Sequence, residues 1–177
     1  MRRLILLDRD GTVMVNKHYL VDPDGVELIP GVAEGIQRLN EAGHAVAIIS
    51  NQSGVARGMM TVNDVAKVNA RLLAVLHIHG AAVDNIYFCP EVDDDAPCRK
   101  PNTGMLEQAA RDMELPLAEG VVVGDNVADI EAGKRAGCRT VLVRTGYGAD
   151  VEKAGTVMPD ATVDSLREAV EWILAEL

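Results

Sequence analysis

The sequence predicts an α/β fold, a parallel sheet with helices on both faces, and three observations carry that expectation. Short apolar runs of strand length recur along the 177 residues and alternate with helical periodicities. The runs are continuously apolar rather than alternating, as strands buried on both faces should be. Hydrophobic residues make up 48% of the chain but aromatic residues only 3%. The core must therefore be built from Val, Leu, Ile and Ala, which suits a helix-covered sheet better than an aromatic-rich sandwich.

Five runs read as strands: Leu4–Leu7, Val46–Ile49, Ile86–Cys89, Val121–Val123 and Thr140–Val143. After the first comes a helix marked by Val32, Ile36 and Leu39, with Pro30 before it and Gly43 closing it. After the second, Val65, Val68, Leu72, Leu73 and Leu76 form a stripe behind Thr61 and Asp64, which stand at capping-box spacing. Met105 to Met113 and Ile130 to Ala136 give two more helices. The last begins at Asp164 or Ser165, with Glu168, and its stripe is Leu166, Val170, Ile173, Leu174 and Leu177. Strand and helix alternate, so the crossovers should be parallel and right-handed, a Rossmann-like arrangement. No repeat, low-complexity tract or linker interrupts the chain, and residues 1–177 read as a single domain.

The formal net charge of −10 argues against nucleic acid and anionic membranes as partners. It does not exclude an anionic substrate, because screening within about 8 Å at physiological salt leaves the local field in charge. Arg9, Arg57, Arg99 and Lys100 lie in or beside the motifs described next. No apolar run approaches the roughly 20 residues that span a bilayer, and the N-terminal run is too short for a signal peptide. Cys89, Cys98 and Cys138 are an odd number with no sign of a disulfide framework. A cytoplasmic protein, monomeric or weakly self-associating, is expected.

Asp8-Arg9-Asp10-Gly11-Thr12 closes the first strand. Taken alone it is equally an acidic turn capping a strand. Two carboxylates one residue apart also suit metal-assisted phosphoryl transfer: the first as nucleophile, the second as proton donor and acceptor. Ser50 and Asp125 also sit at carboxyl ends of strands, and Lys100 follows another. In open α/β sheets ligands bind at that edge, and convergence of four such groups there favours the chemical reading.

These motifs resemble those of the haloacid dehalogenase superfamily of phosphatases. The first matches Asp8-Arg9-Asp10-Gly11-Thr12, the second Ser50, the third Lys100, and the fourth Gly124-Asp125-Asn126-Val127-Ala128-Asp129. The resemblance implies Asp8 as nucleophile and Asp10 as acid and base. Asp8, Asp125 and the Asp10 carbonyl would bind Mg²⁺, a hard cation suited to oxygen ligands. Ser50 and Lys100 would face the phosphoryl oxygens. Asp129 is expected to orient the site or cap its helix rather than bind metal.

A finer resemblance, to the bacterial D-glycero-D-manno-heptose-1,7-bisphosphate 7-phosphatases and their histidinol-phosphatase relatives, rests on three segments. They are Asn16-Lys17-His18-Tyr19, Asn51-Gln52-Ser53-Gly54-Val55-Ala56-Arg57-Gly58 and Cys98-Arg99-Lys100-Pro101. It implies a small phosphorylated sugar as partner, with Arg9, Asn16, Lys17, His18, Tyr19, Asn51, Gln52, Ser53, Arg57, Arg99 and Asn126 as substrate contacts. Ala56-Arg57-Gly58 favours the heptose branch. The chain departs from the family's zinc loop: Glu91 and Ala96 stand where a His and a Cys are usual. Two thiols and Glu91 fall short of four Cys/His ligands, so structural zinc is not expected. Asn126 also replaces a common Lys.

Other polar residues carry the plainer reading. Asp93-Asp94-Asp95 reads as a solvated turn, His44 as exposed, His77 and His79 as facing apart on their helix, and Cys138 as a small core residue. Trp172 lies off its helix's main stripe. The stretches between motifs leave no room for a cap domain, so loops 13–27, 52–60 and 89–99 should set specificity at an open site. The rival readings are a histidinol-phosphate or broad-range phosphatase and a non-catalytic phosphosugar-binding protein.

Overall fold

The computed structural model describes residues 1–176. Its sheet holds six strands: β1 (Leu4–Asp8), β2 (Ala45–Asn51), β3 (Asn85–Cys89), β4 (Val121–Gly124), β5 (Arg139–Val143) and β6 (Ala161–Val163). They run in the order β3-β2-β1-β4-β5-β6, and every neighbouring pair is parallel. The helices are α1 (Val32–Glu41), α2 (Val62–Ile78), α3 (Gly104–Asp112), α4 (Val127–Arg135), α5 (Gly148–Ala154) and α6 (Leu166–Glu176).

The period-two geometry of strands divides the apolar residues between two layers. Ile5, Leu7, Val46, Ile48, Val121 and Val123 pack on α1, α2 and α6 through Ile36, Leu39, Leu72, Leu76, Val170 and Ile173. Leu4, Leu6, Ala45, Ala47, Ile49 and Val122 pack on α3 and α4 through Met105, Leu106, Ala109 and Ala132. The sheet is therefore covered on both faces, as its continuous apolar strands require. Thr61 caps α2 reciprocally: its hydroxyl accepts from Asp64 N at 3.1 Å and its N–H donates to Asp64 at 2.9 Å.

Four expectations need correction. β3 is an edge strand whose first four residues are exposed or half-buried, so both its faces are only partly covered, Ile86 packing on one layer and Tyr87 and Cys89 on the other. β6, three residues long, and α5, seven, escaped the reading because neither spans enough turns or repeats to show periodicity. On α2 Leu73 faces outward while Asn69 is buried within the apolar stripe. Cys89 and Cys98, read as two thiols, are joined by a disulfide; the loop between them folds back and brings the two sulfurs together. Leu177, assigned to the last stripe, lies outside the described residues.

His44, expected to be exposed, is instead half-buried, its Nδ1 accepting from Arg3 N at 3.2 Å. Cys138 is buried, as expected, and burial pushes its thiol up to about 12. Trp172 is half-buried, with the Arg139 guanidinium 5.9 Å above its ring. Among the described residues, no helix is long and apolar enough to cross a membrane.

Candidate active site

β1 lies between β2 and β4, and the chain leaves these two neighbours for opposite halves of the sheet. A crevice opens at such a switch point, beyond the carboxyl ends of the strands. Asp8 ends β1, Ser50 and Asn51 end β2, and Asp125 follows β4. Lys100 arrives from the loop after β3. Its ammonium donates to Asp8 Oδ1 at 2.5 Å, to Asp129 Oδ1 at 2.6 Å and to the Ile49 carbonyl at 2.9 Å. All three ammonium protons thus have partners in a buried setting. Asn51 pins the backbone there, donating to Lys100 O at 2.9 Å and accepting from Lys100 N at 3.0 Å.

Asp8, Asp125 and Asp129 are buried, with carboxylate oxygens within 4.8 Å of one another. Burial, then the nearby Asp129, raises the Asp8 carboxyl well above the carboxylate range, against the pull of Lys100. Burial and Asp129 push Asp125 up to about 7, although the Tyr147 N–H, 2.8 Å away, opposes the shift. Burial would lower the Lys100 ammonium, but Asp129 and Asp8 together outweigh it and leave it raised. One lysine thus faces a concentration of negative charge that a divalent cation would relieve. The donors are hard oxygens, which fit Mg²⁺. Asp129 also accepts from Asn126 N at 3.0 Å at the start of α4, so it joins Lys100 to the helix end. Gly11 and Gly146 have φ of +91° and +56°, and a Cβ on either would run into the Asp125 carboxylate. Glycine there serves both the backbone turn and the close approach.

Asp10 lies across the crevice in a separate network. Its Oδ2 accepts from Arg9 Nε at 3.0 Å, Gln52 Nε2 at 2.9 Å and Ser50 Oγ at 3.4 Å. Gln52 also donates to Ser50 Oγ at 2.7 Å. Arg9 is buried, and its guanidinium faces Asp10 and Asn69.

Together these groups wall a cavity of about 480 Å³, which Asn16, His18, Tyr19, Asn51, Gln52, Ser53, Arg99 and Asn126 also line. The structure does not bring Lys17 or Arg57 to it. Lys17 pairs with Glu27 at 2.9 Å, and Arg57 is exposed on the 52–60 loop. Neighbours in the same two loops, Asn16, His18, Tyr19, Gln52 and Ser53, do line it. Two lining residues were not foreseen. Asp94, read as part of a solvated turn, accepts from Arg99 Nε at 3.0 Å. Tyr147 follows β5 and lies against His18, ring centroids 6.3 Å apart. The rule that found Ser50 and Asp125, polar groups just beyond a strand's carboxyl end, applies equally to Thr145-Gly146-Tyr147.

The fold and this carboxylate cluster are those of the haloacid dehalogenase-like hydrolases, and a family model described as HAD-hydrolase-like matches residues 97–169. A D-glycero-D-manno-heptose-1,7-bisphosphate 7-phosphatase of Thermosynechococcus vestitus is 40% identical over 99% of this chain and 97% of its own. A D-glycero-beta-D-manno-heptose-1,7-bisphosphate 7-phosphatase of Yersinia pestis is 37% identical, covering 97% and 95%. The crystal structure of D,D-heptose 1,7-bisphosphate phosphatase from B. bronchiseptica, complexed with magnesium and phosphate, superposes with a TM-score of 0.90. It is 35% identical and covers 99% of both chains. The chain belongs to the heptose-1,7-bisphosphate 7-phosphatase family of haloacid dehalogenase-like hydrolases.

Proposed function

We propose that this protein is a single-domain, Mg²⁺-dependent phosphatase that removes the C7 phosphate of D-glycero-D-manno-heptose 1,7-bisphosphate. The observation that carries the reading is the buried trio Asp8, Asp125 and Asp129 at the switch point, bridged by Lys100. The names and coverage of the relatives support the substrate. Asp8, Asp125 and the Asp10 carbonyl would hold Mg²⁺, whose positive charge would let an anionic nucleophile sit beside an anionic phosphate.

Asp8 attacks phosphorus, and the bond from phosphorus to the sugar oxygen breaks. Asp10 gives its proton to that oxygen, so the sugar leaves as an alcohol. Asp10, now ionised, takes a proton from water as the water oxygen attacks phosphorus. The acyl-phosphate bond then breaks, restoring the Asp8 carboxylate and releasing inorganic phosphate. Lys100 and Ser50 face the phosphoryl oxygens, where transition-state charge gathers. Arg99, on the cavity wall, takes the phosphate that remains on the sugar, for which its planar fork is suited.

The test is a comparison of rates with Mg²⁺ for both C1 anomers of the heptose bisphosphate and for histidinol phosphate. Preference for a heptose bisphosphate, abolished by chelation, is expected. Preference for histidinol phosphate would move the enzyme to that branch, and no turnover of any of them would overturn the reading.

A further inference from the structure

Asn69 is a polar residue buried in the apolar stripe of α2, among Val65, Val68, Leu72 and Leu76. Packing gives no reason for an amide there. Its Oδ1 accepts from Arg9 Nη1 at 2.7 Å, a buried contact across sixty positions of sequence. Arg9 is itself 1% exposed, and a guanidinium taken from water is tolerable only when its N–H groups are matched. The remainder of its fork goes to Asp10: Nε to Oδ2 at 3.0 Å, and Nη2 to Oδ2 at 3.0 Å and Oδ1 at 3.3 Å. A forked pair of this kind fixes the plane of a carboxylate as well as its position.

We propose that Asn69 is a positioning residue for the acid and base Asp10, acting through Arg9. Asn69 sets where the guanidinium lies, and the guanidinium sets the plane of the Asp10 carboxylate. Oδ2 is occupied by Arg9, Gln52 and Ser50, whereas Oδ1 has a single contact at 3.3 Å. Oδ1 is therefore the less occupied of the two carboxylate oxygens. The inference rests on the proposed role of Asp10 and names the residue that aims it. Asn69 does not line the cavity and bonds to Arg9, so its loss should tell mainly where proton transfer matters.

Leaving-group chemistry separates that role from a structural one. A sugar phosphate must leave as a protonated alcohol, while p-nitrophenyl phosphate releases a stable phenolate that needs no proton. Single-turnover transfer to the enzyme is measured with both esters and Mg²⁺ for wild type, Asn69→Leu, Asn69→Ala, Asn69→Asp and Asp10→Asn. Asn69→Leu and Asn69→Ala should slow the sugar ester about 10-fold, the low end for a lost hydrogen bond to a charged group. Transfer from the aryl ester should hardly change, and Asn69→Asp, which keeps an acceptor oxygen in place, should restore the sugar rate. Equal losses on both esters in the Asn69 variants, beside a selective loss in Asp10→Asn, would overturn this proposal alone. Equal losses in Asp10→Asn itself would overturn the role of Asp10 and this proposal with it. If neither Asn69→Leu nor Asn69→Ala folds, as read by circular dichroism, Asn69 is a folding residue and the proposal falls.

Discussion

Arg99 and Lys100 are adjacent in sequence and carry the same charge, yet their partners differ sharply in burial. The Lys100 side chain is 2% exposed and held by two buried carboxylates and a carbonyl. Arg99 pairs with Asp94, a carboxylate whose side chain is 90% exposed, and with the Glu91 carbonyl at 3.2 Å. A charge pair in low dielectric is costly to break, because it strands its partner. A pair open to water is worth roughly 0.2–1 kcal/mol and exchanges readily. The reaction centre is thus preformed, while the rim facing the distal end of the cavity can trade a protein carboxylate for a substrate anion. Asp8, Asp10, Lys100 and Asp125 belong to the first region, and Asp94, Arg99 and Tyr147 to the second.

The largest effect should come from within the preformed region. Asp10→Asn keeps the side chain's shape but removes proton transfer, which is worth roughly 10²–10⁴-fold. Steady-state assays with the bisphosphate and with a sugar monophosphate should show the same loss for both. A loss confined to the bisphosphate would place Asp10 in the recognition rim and break the division.

Arg99→Ala should act in the opposite way. Losing a charged hydrogen bond costs roughly 1.5–3 kcal/mol, or roughly 10- to 150-fold in kcat/KM. That loss should fall on the bisphosphate and spare a monophosphate lacking the distal group. Equal proportional losses on both would show that Arg99 serves the reaction centre or the fold of its loop.

The concentration of charge in the preformed region should also be visible in pH dependence. Asp125, pushed up to about 7 by burial and Asp129, is raised above its value in the unfolded chain. It therefore favours folding below the ordinary carboxylate range and loses that contribution as pH rises through about 7. On this account, metal-free protein melts lower at about pH 8 than at about pH 6. Mg²⁺ requires the ionised form, so its affinity should weaken by up to about tenfold per pH unit below 7. Titration calorimetry and thermal melts check both; Mg²⁺ affinity independent of pH over this span would remove Asp125 from the ligand set.

The smallest effect belongs to the pair at the solvent edge, in which Arg99 is 19% and Asp94 90% exposed. Asp94→Asn frees Arg99 from a competing carboxylate, and kcat/KM for the bisphosphate should rise by no more than about 5-fold, the equivalent of a surface ion pair. A large loss instead would make Asp94 a direct contributor to binding or to the loop's fold.

The preformed region was also the more legible one. Asp8, Ser50 and Asp125 stand where buried apolar strands stop, and a strand end fixes where a side chain emerges. Lys100 was assigned by motif resemblance, and its reach into the carboxylate cluster depends on the fold of loop 90–99. The rim was harder to read because its geometry comes from turns rather than periodicity. Asp94 is the solvent-facing charge expected, and only its pairing with Arg99 brings it to the cavity; Tyr147 follows a strand end that carries no recognised motif. Lys17 and Arg57 matched family segments, yet their side chains turn away from the cavity. The Cys89–Cys98 bond depends on the path of the intervening loop, which spacing alone does not specify. Asn69 was visible as one amide in an apolar stripe, but its meaning required Arg9 to arrive from β1. Strands β1, β2, β4 and β5 were plain from their apolar runs, whereas β3, at the sheet edge, has the same composition as a covered strand.

The most direct test of the central claim is rapid acid quench of a single turnover with Mg²⁺ and the bisphosphate, followed by peptide mass mapping. A transient phosphoryl group is expected on the peptide bearing Asp8, formed at a comparable rate in Arg99→Ala once substrate is saturating, and absent in Asp8→Asn. Phosphate release by Asp8→Asn at the wild-type rate, or a phosphoryl group on any residue other than Asp8, would contradict it.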